Sequence, residues 1–356
     1  MLPSNSHHLH SYSRTHSYYR INIAVRLVQY LFVMAPNKTP MDPELKGLLA
    51  EVSFPQIDHV TPEVVKMMRE VTATPPSWLE NQKARGITHT EIKIPSEDST
   101  NFEIILSILQ PASKAAKLRP CIYWIHGGGF HWGDRLHALE IPTDMILECD
   151  VICVSVEYRL APEHTYSVAL EDCYTGLKWT SEHKLELGIS SKHLMIGGIS
   201  AGGGLAAAVA LLCRDRQGPV LYAQCLICPA VDLRLTSVSS HQFVYSSDFL
   251  PRRCFEDIVK GLGNTKKDGT GSIIPHPAEY EDLSGLPQTW LDVGSAEVLR
   301  DDTVAYASKL WASGVQTELH VWAGGFHGFD IFLPTAAVAQ VARKTRVEWV
   351  KRVLLQ

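Results

Sequence analysis

The sequence lacks the charge features that are typical of proteins that bind nucleic acids or anionic membranes. Its 33 Lys and Arg residues against 38 Asp and Glu residues give a formal net charge of -5, and no long run of like charge occurs. Binding to nucleic acid generally needs a basic patch or stripe. The chain also shows no internal repeat. We therefore expect neither nucleic acid nor an anionic lipid surface as a partner.

Two motifs of other enzyme classes are missing as well. No H-E-x-x-H or comparable ligand cluster appears, which disfavours a metal-dependent hydrolase. No G-K-[ST] follows the three consecutive glycines 127–129, so a phosphate-binding loop has little support there. We accordingly expect that the protein needs no cofactor and no metal ion.

The first forty residues contain no Asp or Glu, in contrast to the remainder of the chain. An Arg-rich, Ser-rich and acid-poor segment is typical of mitochondrial targeting. The interpretation that we favour is a disordered tail, or an extension ahead of a start at Met34. The apolar stretch 21–35 is interrupted by Arg26 and is too short to span a bilayer. We expect an intracellular, cytoplasmic protein, with mitochondrial targeting as the alternative.

The eight cysteines favour a reducing environment. Cys121, Cys153 and Cys213 lie inside apolar runs, and no secretory signal is evident. Cys225 and Cys228 form a C-x-x-C pair, a spacing that can mark a redox or metal site. The residues around this pair have the pattern of a buried strand, so we interpret both cysteines as core residues. Free thiols of this kind fit an intracellular setting.

Strand patterns alternate with helical patterns from Ile87 onward. The segments THTEIKI and FEIILSIL predict two antiparallel strands at one sheet edge. PCIYWIHGGG and DVICVSVEYR are near-continuous apolar runs, as expected for strands buried on both faces of a parallel sheet. Eight segments in all have a strand pattern. The sequence thus predicts a doubly wound α/β fold, with a mostly parallel sheet of eight strands and helices on both faces.

Two regions fall outside this alternation and predict a cap. Residues 41–86 contain helical patterns, and residues 235–284 mix Pro, Gly and charged residues. Open α/β sheets bind ligands at the carboxyl ends of their strands, so a cap there would wall a pocket. We divide the chain into a tail, 1–40, and a single domain, 41–356, with a helical cap from 41–86. A contribution of 235–284 to the cap stays open, and ordinary surface helices are the alternative.

A serine between glycines follows one of the predicted strands. Gly198-Ile199-Ser200-Ala201-Gly202 is G-x-S-x-G, preceded by an apolar strand and followed by good helix formers. This context is typical of a nucleophile elbow, in which a sharp turn holds the serine in a strained conformation. Larger side chains in place of Gly198 and Gly202 would collide across the turn. Taken alone, the motif is short enough to arise by chance.

A glycine-rich segment, HGGGF, ends an earlier predicted strand and begins at His126. A turn of this kind exposes backbone N–H groups. When such donors are aimed at one point, they stabilise the oxyanion of a tetrahedral intermediate. The alternative interpretation is a plain tight turn without a chemical role.

A nucleophilic serine needs a general base, and the base needs a carboxylate that orients it. In the predicted fold these residues follow in the order serine, acid, histidine. Two late loops after strands offer them, GSAEVLRDD with Glu297 and AGGFHGFD with His327. Competing candidates remain at this point: His276 for the base, and Asp292, Asp301 and Asp302 for the acid.

Five ordered motifs make the sequence resemble the hormone-sensitive-lipase-like family of α/β-hydrolases, which are esterases and lipases. The motifs are HGGGF, VEYRLAPEH, SAGGGLAA, SAEVLRDD and GGFHGF, in this order along the chain. The resemblance extends from Ile87 to the C-terminus and leaves out the N-terminal tail. The last two motifs are similar to those of fungal members.

The resemblance implies a role for each residue of the site. Ser200 would be the nucleophile, His327 the general base, and Glu297 the acid, since the family's acid lies just before the LRD stretch. The oxyanion hole would consist of the amides of Gly128, Gly129 and Ala201. The scaffold of the motifs would be His126, Gly127, Gly198 and Gly202. The residues implied to brace the site are Tyr158, Arg159 and Glu163.

Two positions depart from the family pattern. A polar residue usually precedes the nucleophile, whereas this chain has Ile199. Isoleucine cannot hydrogen-bond to neighbouring loops, so we expect altered bracing there and retained activity. The acid is Glu297 where Asp is commoner, and triads with Glu do occur.

The resemblance thus implies a serine hydrolase that cleaves carboxylic esters of small or medium acyl chains through an acyl-enzyme intermediate. Its partner would be a small-molecule ester. One alternative is a tailoring hydrolase for a lactone, an amide or an acyl intermediate of secondary metabolism. Another is a ligand-binding member without activity, although such members lack the catalytic histidine. The candidates for lining the pocket are Trp132, Tyr245 and Phe249. The sequence leaves open whether the chain is a monomer or a homodimer.

Overall fold

An eight-stranded sheet is the scaffold of the protein in the computed structural model, which describes residues 37–52, 57–98, 100–245, 249–263 and 276–355. The strands are β1 (Ile87–Pro95), β2 (Glu103–Pro111), β3 (Arg119–Ile125), β4 (Ile152–Glu157), β5 (Ile189–Ile199), β6 (Ala223–Ile227), β7 (Gln288–Gly294) and β8 (Thr317–Trp322). They lie side by side in the order β1-β2-β4-β3-β5-β6-β7-β8.

The direction of the strands brings several loops to one edge of the sheet. β2 pairs antiparallel with β1 and with β4, whereas the remaining pairs are parallel. The expected antiparallel edge, the strand number and the mostly parallel sheet are therefore confirmed. Because β3, β5, β7 and β8 run in the same direction, the loops that follow them meet at the carboxyl edge.

Helices cover both faces of this sheet. They are α1 (Pro43–Glu51), α2 (Pro62–Thr72), α3 (Pro76–Ala84), α4 (Glu140–Cys149), α5 (Tyr166–Glu182), α6 (Ala201–Asp215), α7 (Val238–Gln242), α8 (Arg252–Gly261), α9 (Arg300–Ala312), α10 (Phe329–Phe332) and α11 (Ala337–Leu354). The first two begin at side-chain caps, because Asp42 and Thr61 accept amide hydrogens of the following turn. A proline at the first helical position completes each of these starts.

The core forms two layers, one on each face of the sheet. Strand β3 shows this directly, since Tyr123 packs into one layer and its neighbours Ile122 and Trp124 pack into the other. Helix α6 is buried in the first layer, and α4 and α11 contribute to the second. The near-continuous apolar pattern of the central strands follows from this burial on both sides.

The two regions that we expected to form a cap contact each other. The thiol of Cys254 in α8 donates to the carbonyl of Ile57 at 3.1 Å. The amide of Val60 donates to the carboxylate of Asp257 at 3.2 Å. Region 41–86 is largely helical where it is described, with α1 to α3, and region 235–284 contains α7 and α8.

Some sequence-based expectations fall on residues that the structure does not describe. Residues 1–36, which contain the transit-like composition and the apolar stretch 21–35, lie outside the described residues. Residues 264–275 of the second cap region lie outside them as well. The division into a tail, a domain and a cap stays a prediction.

Candidate active site

Ser200 occupies a strained turn between β5 and α6. Its φ of 55° and ψ of -117° lie outside the regions that residues other than glycine usually adopt. Its N–H donates to the carbonyl of Ile227 at 2.8 Å, and its own carbonyl accepts from Gly204 and Ala230 at 3.0 and 2.9 Å. The surrounding backbone therefore holds the strain in place, as in a nucleophile elbow.

The two glycines of G-x-S-x-G are required by backbone contacts. A Cβ atom at Gly198 would lie 2.3 Å from the carbonyl oxygen of Gly202. A Cβ atom at Gly202 would lie 2.1 Å from the carbonyl oxygen of Ile125 and 2.3 Å from that of His126. Any larger residue would force the strand, the helix and the HGGGF segment apart, so the crowding expected from the sequence is present.

Ser200, Glu297 and His327 form one hydrogen-bonded chain. Nε2 of His327 lies 2.8 Å from Oγ of Ser200, and Nδ1 lies 2.5 Å from Oε2 of Glu297. The other oxygen of Glu297 accepts from the amide of Gly294 at 3.1 Å. Glu297 and His327 are only 1% and 5% exposed, so water competes little for these bonds.

The partners of His327 determine where its hydrogen lies. A carboxylate only accepts, so Nδ1 carries the hydrogen that bonds to Glu297. Nε2 of the neutral ring then has a free lone pair, to which the hydroxyl of Ser200 donates. In this arrangement the imidazole can take the proton of the serine.

The competing candidates for acid and base lie elsewhere. Asp292 is buried within β7, as the sequence indicated. Asp301 and Asp302 lie in the first turn of α9, also as indicated. His276 packs edge-on against the ring of Tyr166, with 5.5 Å between the ring centroids. Of the candidates that the sequence left open, Glu297 and His327 are the acid and the histidine that lie in one hydrogen-bonded chain with Ser200.

The HGGGF segment lies directly beside the serine. A Cβ atom at Gly127 would lie 3.6 Å from Cβ of Ser200, and one at Gly128 would lie 2.0 Å from the carbonyl oxygen of Trp132. Gly128 and Gly129 have φ angles of 105° and 57°, which also favour glycine. Within the described part of the chain, neither of their amides donates a hydrogen bond. Both donors are thus available to a ligand.

His126 fixes the orientation of the first of these peptide groups. Its Nδ1 donates to the carbonyl of Gly127 at 2.7 Å, so the amide of Gly128, in the same planar peptide, points the opposite way. Complete burial lowers the pKa of His126 to about 3, which keeps the ring neutral. Tyr158 stacks on this ring at 4.2 Å and donates its hydroxyl to the carbonyl of His126 at 3.1 Å.

The segment that contains Tyr158 braces the loop further along, in agreement with the resemblance. The guanidinium of Arg159 makes a buried two-point contact with Asp172, at 2.6 and 2.8 Å. Both carboxylate oxygens of Glu163 likewise accept from Arg69 of α2, in a pair that is partly exposed. These charged residues hold loops in place and do not contact the triad.

Ile199, which precedes the serine, is a core residue. It is buried and packs in the same layer as Ile227 and Cys228. Its Cγ2 atom also lies against the HGGGF segment, 3.3 Å from where a Cβ atom at Gly127 would lie. Apolar packing therefore takes the place of a polar bracing contact at this position.

Helix α8 covers the triad and supplies residues that the sequence did not single out. The ring of Phe255 stands edge-on to that of His327, with 5.9 Å between centroids. Cδ1 of Ile258 lies 2.8 Å from the position of a Cβ atom at Gly129. A sequence pattern could have indicated these two residues. Phe255 and Ile258 are three positions apart in the charged segment RRCFEDIVKG, a spacing that predicts one apolar helix face.

The aromatic candidates for the pocket are distributed differently. Trp132 is buried against the HGGGF segment. Phe249 packs on Phe326, the neighbour of the triad histidine, with 4.6 Å between ring centroids. Tyr245 is 56% exposed and lies near the cationic groups of Lys38 and Arg253. The first two therefore lie close to the site.

One cysteine lies beside the triad. Cys228, Glu297 and His327 each place one potential ligand atom within 4.8 Å of the others. Burial raises the pKa of the Cys228 thiol well above its ordinary value, whereas metals bind the thiolate. Both nitrogens of His327 are already hydrogen-bonded to its triad partners. We assign this cluster no metal role, and Cys225 and Cys228 are buried, free core residues as expected.

The chain is similar to known proteins over most of its length. A family profile described as the alpha/beta hydrolase fold matches residues 122–331, more than half of the chain. Carboxylesterase NlhH of Mycobacterium tuberculosis is 31% identical over 308 residues, which cover 84% of this chain and 92% of that protein. The chain belongs to the α/β-hydrolase family. Arylacetamide deacetylase of Bos taurus is a further relative, 29% identical over 71% of this chain and 78% of its own.

Solved structures of α/β-hydrolases superpose on the chain over most of its length. A bacterial heroin esterase covers 88% of this chain and 98% of its own, with a TM-score of 0.76 and 32% identity. A hyperthermophilic esterase from Pyrobaculum calidifontis covers 89% and 100%, with a TM-score of 0.73 and 27% identity. The α/β-hydrolase fold and the resemblance to the hormone-sensitive-lipase-like family are thus confirmed.

Among the helices of the described residues, none combines the length and the apolar character needed to cross a membrane.

Proposed function

We propose that Ser200, His327 and Glu297 are the nucleophile, general base and orienting acid of a carboxylic-ester hydrolase. The named carboxylesterase and esterase relatives support ester hydrolysis as the reaction of this chain. The observation that carries the proposal is the hydrogen-bonded chain from Ser200 Oγ through both nitrogens of His327 to Glu297.

Acylation begins when the ester carbonyl lies next to Oγ of Ser200. Nε2 of His327 takes the hydroxyl proton as Oγ forms a bond to the carbonyl carbon. The carbonyl π electrons move to oxygen and give a tetrahedral oxyanion. Glu297 stabilises the imidazolium that forms. When the oxyanion collapses, the bond to the alcohol oxygen breaks, and the imidazolium returns the proton to the leaving alcohol.

Deacylation repeats these steps with water. His327 takes a proton from water as the water oxygen attacks the acyl carbon, and a second oxyanion forms. Its collapse breaks the bond to Oγ, and the proton returns from Nε2 to Ser200. The carboxylic acid leaves, and the chain is restored without any cofactor.

The oxyanion is stabilised by three amides in this proposal. Gly128 and Gly129 supply two donors without another partner, and Ala201 is the first residue of α6, where helix amides have no partner within the helix. The loss of one such donor typically costs about 3 kcal/mol of barrier. Donors held by the backbone need no reorganisation when the charge develops.

The walls of the site favour an uncharged ester. Phe255 lies beside His327, which protonates the leaving alcohol, and Ile258 and Trp132 lie beside Gly129. Apolar side chains at these places favour apolar groups on the substrate. We propose that the substrates are esters of small or medium acyl chains.

The oligomeric state and an intracellular location stay predictions. The eight cysteines are free and buried, which agrees with an intracellular location.

The proposal is tested by hydrolysis of a short-chain p-nitrophenyl ester by purified protein. We expect the wild type to release p-nitrophenol and Ser200→Ala to fall to the rate of the buffer alone. The matched control is Ser308→Ala, which removes an exposed hydroxyl of α9 and should leave the rate unchanged. Equal rates for wild type and S200A would refute the triad.

An amide substrate is the second candidate, because arylacetamide deacetylase is among the relatives. The same triad would serve, with an amine as the leaving group that His327 protonates. A paired assay with an aryl acetate and the corresponding acetanilide distinguishes the two classes. A larger kcat/KM for the anilide would assign the chain to amides, and a role in secondary metabolism stays a prediction.

A further inference from the structure

The loop that presents the two glycine amides is irregular and needs external support. The carbonyl of Gly128 accepts from the amides of His131 and Trp132, both at 3.0 Å, which closes a tight turn. Nδ1 of His131 donates to the carbonyl of Gly129 at 2.6 Å. His131 therefore contacts the turn through both its backbone and its ring, so a shift of this residue would move the donors of the turn.

One side chain from the region 41–86 holds His131 from outside. Nε of Arg69 donates to the carbonyl of His131 at 2.8 Å, and its Nη2 donates to the carbonyl of Ala161 at 2.9 Å. The amide of Ala161 in turn donates to the carbonyl of Phe130 at 2.8 Å. Arg69 thus joins the glycine loop to the loop after β4.

Glu163 holds the other side of the same guanidinium. Its two oxygens accept from Nη1 and Nη2 of Arg69 at 2.8 and 2.7 Å. The planar guanidinium has five N–H donors in fixed directions. Arg69 forms four hydrogen bonds with them, two to backbone carbonyls and two to Glu163. A lysine could not reproduce this pattern, because its three N–H donors all belong to one nitrogen, whereas Arg69 donates from three nitrogens in a plane.

Helix α8 contacts the same loop from a second direction. A Cβ atom at Gly261 would lie 2.2 Å from Nε2 of His131, so the backbone of α8 lies directly against this ring. Ile258, one turn earlier, packs on Gly129. Both regions that were expected to form a cap therefore meet at His131.

We propose that Arg69 is a positioning residue, which fixes the oxyanion donors through the carbonyl of His131 and so couples the region 41–86 to catalysis. The inference rests on the proposed function, because it concerns the same site. Arg69 does not touch the substrate. It acts through the backbone of the loop that presents the amides of Gly128 and Gly129.

The expected effects of Arg69 on stability and on the rate of hydrolysis differ in size, which distinguishes a positioning role from simple stabilisation. The side chains of Arg69 and Glu163 are 34% and 54% exposed, and an ion pair this exposed contributes little to stability. A displacement of catalytic donors by about 1 Å can lower the rate about a hundredfold. The effect of Arg69 should therefore appear in kcat far more than in the melting temperature.

The test compares Arg69→Met with Lys66→Met, which removes an exposed cation from the same helix. We expect R69M to lower kcat for a p-nitrophenyl ester by about ten- to a hundredfold, with KM within about twofold. The inhibition constant of a trifluoromethyl ketone should rise in parallel, because its adduct places an oxyanion on the same amides. K66M should match the wild type in all three quantities.

Two further variants separate the carbonyl contacts from the ion pair. Glu163→Gln keeps Arg69 on both carbonyls, so we expect kcat within about threefold of the wild type. Arg69→Lys should be impaired nearly as much as R69M, since a single nitrogen cannot occupy the positions of both Nε and Nη2, from which Arg69 reaches the two carbonyls. If R69M does not fold, R69K decides in its place.

The outcomes are distinguishable from failure of the triad itself. If folded R69M, or R69K in its place, has kcat and an inhibition constant within about twofold of the wild type, the inference is wrong while the triad stands. A lower melting temperature with an unchanged kcat would likewise reduce Arg69 to a structural residue. If wild type and S200A hydrolyse the ester equally, the proposed function fails first, and the inference fails with it.

Discussion

Nε2 of His327 lies 2.8 Å from Oγ of Ser200, although 127 residues separate them along the chain. The parallel sheet produces this contact, because β5 and β8 deliver their following loops to the same edge. The strained turn positions Ser200 above the edge of the sheet, and the loop after β8 positions His327 next to it.

Glu297 should be indispensable for the orientation of His327. Glu297→Gln keeps the size of the side chain but can donate to the ring, which favours the wrong tautomer. We expect kcat to fall about a thousandfold or more, as in other triads that lose their carboxylate. The measurement is p-nitrophenyl ester hydrolysis with Glu281→Gln, an exposed residue, as the control. Activity near that of the wild type would assign the orienting role to another group.

The elbow should not tolerate a methyl group. Gly202→Ala would place Cβ within 2.3 Å of two carbonyl oxygens, so we expect a loss of more than about 2 kcal/mol of stability and no measurable activity. Gly47→Ala is the matched control, because nothing lies within 4 Å of a Cβ there and α1 should gain up to about 1 kcal/mol. Urea unfolding measures both. A stable, active G202A would show that the elbow is less crowded than described.

Ile199 should matter for packing alone. Ile199→Val removes one buried methylene, and we expect about 1 kcal/mol of lost stability with kcat within about twofold of the wild type. Thermal unfolding and ester hydrolysis are measured on the same preparation. A large fall in kcat without loss of stability would instead give this position a direct role in the geometry of the elbow.

Asp302 should make stability depend on pH. Burial, and next the carboxylate of Asp232, raise its pKa to about 7, against about 3.9 in an unfolded chain. Between these two pKa values the folded state keeps a proton that the unfolded state has released. The protonated carboxyl therefore contributes to the free energy of unfolding at low pH, and this contribution is lost as pH rises through about 7. Asp302→Asn has no such titration. We expect D302N to be more stable than the wild type at about pH 7.5, on the order of 2 kcal/mol, and much closer to it at about pH 4. Parallel pH curves in urea unfolding would contradict this.

The sequence predicted the sheet because its central strands are buried on both faces. The run 121–125 of β3 has no polar face, so its strand type could be inferred without tertiary information. The elbow was recognisable for a similar reason, since glycines at fixed spacing around Ser200 satisfy a local steric demand. Both features are properties of short segments.

Other parts of the site depend on contacts between distant segments. Spacing alone could not separate Glu297 from Asp292, because both lie near the end of β7 and only the fold shows which one faces His327. Arg69 and Phe255 gave little signal, since each sits on an ordinary amphipathic helix. Their meaning comes from what they contact across the fold, and a sequence motif does not contain that information.

The central claim, that Ser200 is the nucleophile, is tested most directly by peptide mass spectrometry after treatment with a fluorophosphonate. We expect a single covalent adduct on the peptide that contains Ser200, and we expect labelling to be slowed about a thousandfold or more in His327→Asn. An active wild type that hydrolyses ester but carries no adduct on Ser200 would contradict it.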